Sequence, residues 1–209
     1  MSATESINQS GKLYWFEDDT RTHLTPPDSA WGRCPDLQAS IGVLRRNLIG
    51  TCISGGTNWW MDQSGRGWYS DKLLLADLSA QRQLAVDLLR ADRTATSQVA
   101  VIVSQETARF MRYDGALTDS ALIRQLTELG AMGTPFEVYD ATDLDLLFSR
   151  TDAKRFRLVI FLNCLYLSPG ERQAIRNRVA KDGRTLLWSH AAGIVAQDGI
   201  STEAMAEAT

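Results

Sequence analysis

The stretch RLVIFLNCLYLSPGE, residues 157–171, passes from a near-continuous apolar segment straight into a helix start. An apolar run of this kind, with aromatic and β-branched residues, suits a strand buried on both faces of a parallel sheet. Ser168, Pro169 and Glu171 then stand at the N-cap, first and third positions of a helix. The S-x-x-E spacing lets hydroxyl and carboxylate each satisfy a free backbone N–H. A buried strand leading into a capped helix is the repeating unit of α/β folds. The surrounding sequence repeats it. QVAVIVSQE (98–106) is another continuous apolar strand, and Asp119 is placed to cap a helix carrying Leu122, Ile123, Leu126 and Leu129. FEVYDATDL (136–144) reads as a strand, Gly183 can end the helix that Ser168 starts, and RTLLWSHAAGIV (184–195) reads as a fourth strand. Four such units predict a small doubly wound, flavodoxin-like domain with a parallel sheet.

The first half uses the same grammar but runs out early. KLYWF (12–16) reads as a strand with Glu17, Asp18 and Asp19 at its C-terminal end. A loop rich in proline and glycine follows, then Ile41, Leu44, Leu48 and Cys52 recur on one face of a helix. SGGTNWWMD (54–62) introduces a second strand ending at Asp62, and a helix from about Asp71 to Arg90 carries Leu74, Leu78, Ala85 and Leu88 on one face. This βαβα order predicts two parallel strands joined by right-handed crossovers. Two strands alone do not make a stable sheet, so this half reads as part of something larger. The polar stretch RADRTATSQ (90–98) is a linker, which places the expected division between residues 1–92 and 93–209.

Composition narrows the function classes. A hydrophobic fraction of 44% supports a real core, and a net charge of −3 gives no reason to expect nucleic acid or an anionic membrane as partner. No apolar run approaches the length of a membrane helix. The polar N-terminus has no signal-peptide core, and Cys34, Cys52 and Cys164 form neither a metal-binding spacing nor a disulfide framework. The expectation is a cytoplasmic protein with reduced thiols and no bound metal. No phosphate-cradling glycine motif is present, so no nucleotide or flavin cofactor is expected.

Glu17 and Asp62 end their strands where parallel α/β folds collect functional groups. Arg21 and His23 follow Glu17 closely, while Trp59, Trp60, Trp68 and Tyr69 gather around the next strand end. Carboxylates beside flat aromatic faces suit carbohydrate, whose C–H face stacks on an indole while its hydroxyls bond to charged groups. The plainer reading makes Glu17 to Asp19 a solvated loop start and the tryptophans core. At least one of the pair Trp59–Trp60 must be core, because alternation sends them to opposite sides of the strand. Cys164 with His190 as base is a further candidate, but no glycine flanks Cys164 to allow a nucleophile elbow. A buried, inert thiol is the expectation there.

GKLYWFEDDTRTHLT (11–25), IGVLRRN (41–47) and GGTNWWMDQSGRGWYSD (55–71) together resemble the last two βα units of a (β/α)8-barrel glycoside hydrolase. The family is that of the β-galactosidases of glycoside hydrolase family 42 and related barrels. Their barrel is followed by a flavodoxin-like domain similar to class I glutamine amidotransferases, which helps form a trimer. The chain from about Gln98 resembles that domain. The resemblance implies a partial barrel over 1–92 and an oligomerisation domain over 93–209. It makes Glu17 the nucleophile at the end of barrel strand seven, with Trp59, Trp60, Asp62, Trp68 and His23 around a galactoside-like substrate. The segment EDDTRTH departs from the family's motif after the nucleophile. Retaining glycosidases also need a second carboxyl roughly 5–5.5 Å from the first. The family carries it at strand four, which the resemblance does not reach. The expectation is therefore a hydrolase part that acts with a complementing barrel chain or as a homo-oligomer. The alternative is a non-catalytic oligomerisation or sugar-binding module.

Overall fold

The computed structural model describes residues 3–92, 94–112, 114–196 and 198–209, with the side chains of Ser64, Leu122 and Ile123 outside that description. It is a mixed α/β structure of two compact units, Gly11–Thr94 and a second made of Met1–Ser10 with Ala95–Thr209.

In chain order the first helix is α1 (Thr4–Gln9), which belongs to the larger unit. The smaller unit holds β1 (Trp15–Asp18), α2 (Leu37–Ile53), β2 (Thr57–Trp60) and α3 (Lys72–Leu88). β1 and β2 pair in parallel, with Glu17 opposite Trp59 and Asp18 opposite Trp60. Asp36 caps α2 by accepting from the Ala39 N–H, and Asp71 caps α3 by accepting from Leu73 and Leu74. Such caps satisfy backbone donors that have no partner within the helix. Leu44, Trp68, Tyr69, Leu74 and Leu78 form the core, with Leu37, Ile41 and Trp60 packed against it. At one side the helices are tied by Asp77, which accepts from the Arg45 guanidinium and from Gln81 Nε2 (2.7 Å). Burial pushes the Asp77 carboxyl up, but these hydrogen bonds prevail and hold it below the usual carboxylate value. Gly56 sits where a Cβ would lie 2.6 Å from the Tyr14 ring, so the turn before β2 requires glycine.

The larger unit is built on β3 (Val99–Val103), β4 (Glu137–Asp140), β5 (Leu158–Phe161) and β6 (Thr185–Trp188). All neighbours are parallel and the order is β4-β3-β5-β6. This 2-1-3-4 order is the doubly wound arrangement expected from the sequence. Between β3 and β4 lie α4 (Ala116–Thr118), a π-helical stretch (Asp119–Arg124) and α5 (Gln125–Ala131). Then come α6 (Leu144–Ser149) after β4, α7 (Pro169–Ala174) after β5 and α8 (Thr202–Ala208) near the C-terminus. Alternation along the strands feeds two cores. Ala100, Ile102, Val159 and Phe161 join Leu144, Leu147, Ala174 and Ile175 in one. Val101, Val138, Ile160 and Leu162 join Ala3 and Leu126 in the other. Phe161 stacks on Trp188 at a centroid distance of 4.0 Å.

The capping box at the start of α7 is complete, with Ser168 accepting from the Glu171 N–H and Glu171 from the Ser168 N–H. Three features differ from the sequence expectation. Asp119 does not cap a helix, because the chain is already helical from Ala116 and Asp119 lies inside the winding. Leu122 and Ile123, expected on the buried face of that helix, have side chains outside the description, while Leu126 is buried and Leu129 packs on the core. The fourth strand ends at Trp188, because His190 takes a left-handed φ of 61° that breaks the extended run. Val195–Ala196 (β7) then pairs antiparallel with Gly199–Ile200 (β8). Finally, the first ten residues do not belong with Gly11–Thr94. Val138 and Asp140 on the outer edge of β4 donate their N–H groups to Glu5 Oε2 (3.1 Å) and Ser6 Oγ (2.7 Å). Those bonds bind α1 into the larger unit.

Candidate functional site

The smaller unit has two unlike faces. Phe16, Asp18, Asn58 and Trp60 turn toward α2 and α3, and Trp60 packs on the Leu44–Leu74 core. Trp15, Glu17, Thr57 and Trp59 lie on the other face, and all four are exposed, Trp15 at 64% and Trp59 at 42%. In a parallel pair, register partners point the same way, so Glu17 and Trp59 stand side by side. Trp15, two residues before Glu17 on the same strand, extends that row. The face thus presents one carboxylate between two indoles. Such a surface can hydrogen-bond hydroxyls while stacking an apolar ring face.

The other residues singled out from sequence occupy different places. Asp18 is 1% exposed. Its Oδ1 accepts from Thr20 N (3.2 Å), Thr20 Oγ1 (2.5 Å) and Asn47 Nδ2 (3.1 Å), which ties the end of β1 to α2. Asp19 pairs with Arg21 at 2.7 Å. Asp62 accepts from the N–H groups of Arg66 (3.1 Å), Gly67 (2.7 Å) and Trp68 (3.3 Å), so both of its oxygens hold the loop after β2. Trp68 is buried in the core with its carbonyl accepting from Thr22, and the Arg21 guanidinium lies 5.5 Å from its ring. Neither face of its indole is open to a sugar. Tyr69 donates to the Asp18 carbonyl (3.1 Å), and burial, then the nearby Asp18, Asp19 and Asp62 charges, push its phenol far up.

His23 joins two helix starts. Its Nδ1 lies 3.0 Å from Ser40 Oγ, and its Nε2 lies 3.8 Å from Asp71, the cap of α3. Ser40 Oγ also accepts from the His23 backbone N–H (2.9 Å) and donates to the Asp36 carbonyl (2.9 Å). The arrangement braces the loop after β1 rather than aiming the ring outward. Hydrogen bonds from Leu74 and Leu73 hold the Asp71 carboxyl below its usual value, with His23 adding to the effect.

In the larger unit Cys164 is fully buried and its Sγ lies 3.7 Å from the Ile102 carbonyl. Burial, then the Glu171 and Asp140 charges, push this thiol far above the range in which a thiolate forms. His190 is exposed and its Nε2 lies 2.7 Å from Gln125 Nε2, while the Cys164 thiol lies against the Ile102 carbonyl. Among the described residues no disulfide includes Cys34, Cys52 or Cys164. Among the described residues no group of three or more His, Cys, Asp or Glu is placed to hold a metal, and no helix is long and apolar enough to cross a membrane.

Of the sequence candidates, the structure therefore brings Glu17 and Trp59 together and places Trp60, Asp62, Trp68 and His23 in the framework beneath. Trp15 was missed. The period of two, counted back from Glu17, was the signal that could have found it.

The class these features define is a mixed α/β protein with parallel sheets. Neither a family model nor a curated protein matches the chain. Among solved structures, a β-galactosidase from Bifidobacterium adolescentis is similar with a TM-score of 0.37 and 16% identity, over 51% of this chain and 47% of that one. The chain thus spans about half the length of that enzyme's chain.

Proposed function

We propose that Gly11–Thr94 contributes the last two βα units of a glycoside-hydrolase barrel, and that the chain is a C-terminal part of a β-galactosidase-like retaining enzyme. The observation that carries this is the register pair Glu17–Trp59 on the uncovered face of a parallel sheet. Parallel strands are normally covered on both faces, and in a barrel the face away from the helices lines the interior. On that face Glu17 attacks the anomeric carbon of a β-galactoside and forms a glycosyl ester, while Trp15 and Trp59 stack on the sugar ring. A proton donor must stand roughly 5–5.5 Å from Glu17 to release the leaving oxygen. The neighbouring carboxylates are committed elsewhere, Asp18 to Thr20 and Asn47, Asp19 to Arg21, and Asp62 to its loop. In this reading the donor comes from further βα units, whether in a longer polypeptide or in a complementing chain. The larger unit serves as the oligomerisation domain.

The test supplies such units, by extension or co-expression, and measures aryl β-galactoside hydrolysis beside Glu17→Gln. Loss of at least about a thousandfold in kcat/KM supports the nucleophile role. Hydrolysis that survives the substitution overturns it. The open indole pair also favours a second reading, a non-catalytic sugar-binding module. Saturable galactoside binding that needs Trp15 and Trp59, with no hydrolysis in any assembly, would select it.

A further inference from the structure

The outer edge of β4 is covered by α1 in a way that its own helix chemistry does not support. α1 spans six residues, and its N-cap position, Ala3, offers no side-chain acceptor. A helix that short is not stable in water by itself. It is held by docking: Ala3 enters the core beside Val101 and Val138, Thr4 and Ser6 are buried, and Glu5 and Ser6 accept the outward N–H groups of Val138 and Asp140. These are the donors an edge strand would otherwise offer to another strand.

The acceptor from Glu5 is a carboxylate in an unfavourable place. On β4, Glu137 stands close by, and its charge is already taken by Arg155, whose Nη2 lies 2.8 Å and 2.6 Å from the two oxygens, and by the Tyr139 hydroxyl at 2.6 Å. The turn Thr151–Arg155 that supplies Arg155 also carries Asp152, paired to Arg155 at 3.2 Å. Asp140, at the end of β4, bonds Thr142 and the Gln105 N–H. No ion pair among the described residues includes Glu5. Its anion therefore faces like charge, and among the described residues no cation is paired with it.

We propose that α1 is a detachable cover on the β4 edge, docked while the Glu5 carboxyl keeps its proton and loosened when the proton leaves. Burial, opposed by the Val138 hydrogen bond and reinforced by Glu137, holds the Glu5 carboxyl above its ordinary value. A raised carboxyl contributes docking stability that is fully present below the unfolded value and lost as pH rises through the folded one. Opening α1 uncovers the N–H groups of Val138 and Asp140, an edge of the sheet able to take another strand.

Amide hydrogen exchange on the full chain tests this, following Val138 and Asp140 against Ile102 in β3, each corrected for its intrinsic pH dependence. In the wild type, protection at Val138 and Asp140 should fall with rising pH, by about tenfold for each unit that folding raises the Glu5 value, and Ile102, which exchanges through unfolding of the whole sheet, should fall by no more than that. Glu5→Gln should remove the pH dependence and keep both amides protected. Ser6→Ala should lower protection at Asp140 at every pH and leave the slope unchanged. Wild-type protection that does not vary with pH overturns the proposal, as does a slope that persists in Glu5→Gln.

Discussion

The two parallel sheets among the described residues start from the same strand–helix unit and reach different degrees of completion. In the four-stranded sheet both faces feed a core, and the outer edge of β4 is covered by α1. In the two-stranded sheet one face packs on α2 and α3 while the other presents Trp15, Glu17, Thr57 and Trp59 to solvent. The contrast also runs through the side chains that bear chemistry. In the larger unit the thiol and most carboxylates are buried, bonded or paired. In the smaller one, Asp18, Asp62, Asp71 and His23 are bonded within the scaffold, and Glu17 is the acidic group left on the open face. A sheet finished on both sides keeps its polar groups for structure. An unfinished one leaves room for a ligand or for more chain.

The largest expected effect lies in the finished sheet. Phe161→Ala removes a fully buried ring stacked on Trp188 and should cost about 3–5 kcal/mol in chemical denaturation. The matched change on the open face, Trp15→Ala, should stay within about 0.5 kcal/mol. If the two values approach each other, the open face is as closely packed as the core of the finished sheet. Intermediate in size is Asp77→Asn, which takes the charge from the buried group joining Arg45 and Gln81 and should cost about 1.5–3 kcal/mol. Because the Asp77 value is depressed on folding, its contribution is present above the ordinary carboxylate value and lost as pH falls through the folded one. Acid unfolding of the wild type should show this loss and Asp77→Asn should not. The smallest effect is chemical: a thiol reagent should modify Cys34 in the native protein and leave Cys164 untouched until the larger unit unfolds. Native labelling at Cys164 would contradict its burial.

The six parallel strands and the helices α2, α3 and α7 were legible because local signals mark them: the apolar run at Val99–Val103, the Ser168–Glu171 capping box, and the Leu74 and Leu78 spacing. The role of α1 was not. Glu5 and Ser6 act on Val138 and Asp140, far along the chain, and a short polar helix shows no apolar stripe by which to recognise such docking. The site was legible in the same partial way. Alternation was enough to send Trp59 and Trp60 to opposite sides. It could not reveal that His23 is held by Ser40 and faces Asp71, or that Asp62 is spent on three backbone N–H groups. A carboxylate or imidazole read from sequence is a candidate until its long-range partners are known.

The central claim is that Glu17 attacks a sugar on the open face once a proton donor stands opposite. A 2-deoxy-2-fluoro-β-galactoside with a dinitrophenolate leaving group isolates that step, because such a group departs without protonation and the fluorine slows release of the glycosyl ester. With the further βα units supplied, the account predicts one fluorogalactosyl group on the tryptic peptide 13–21, absent after Glu17→Gln. A label on any other peptide, or one that persists in Glu17→Gln, would contradict it.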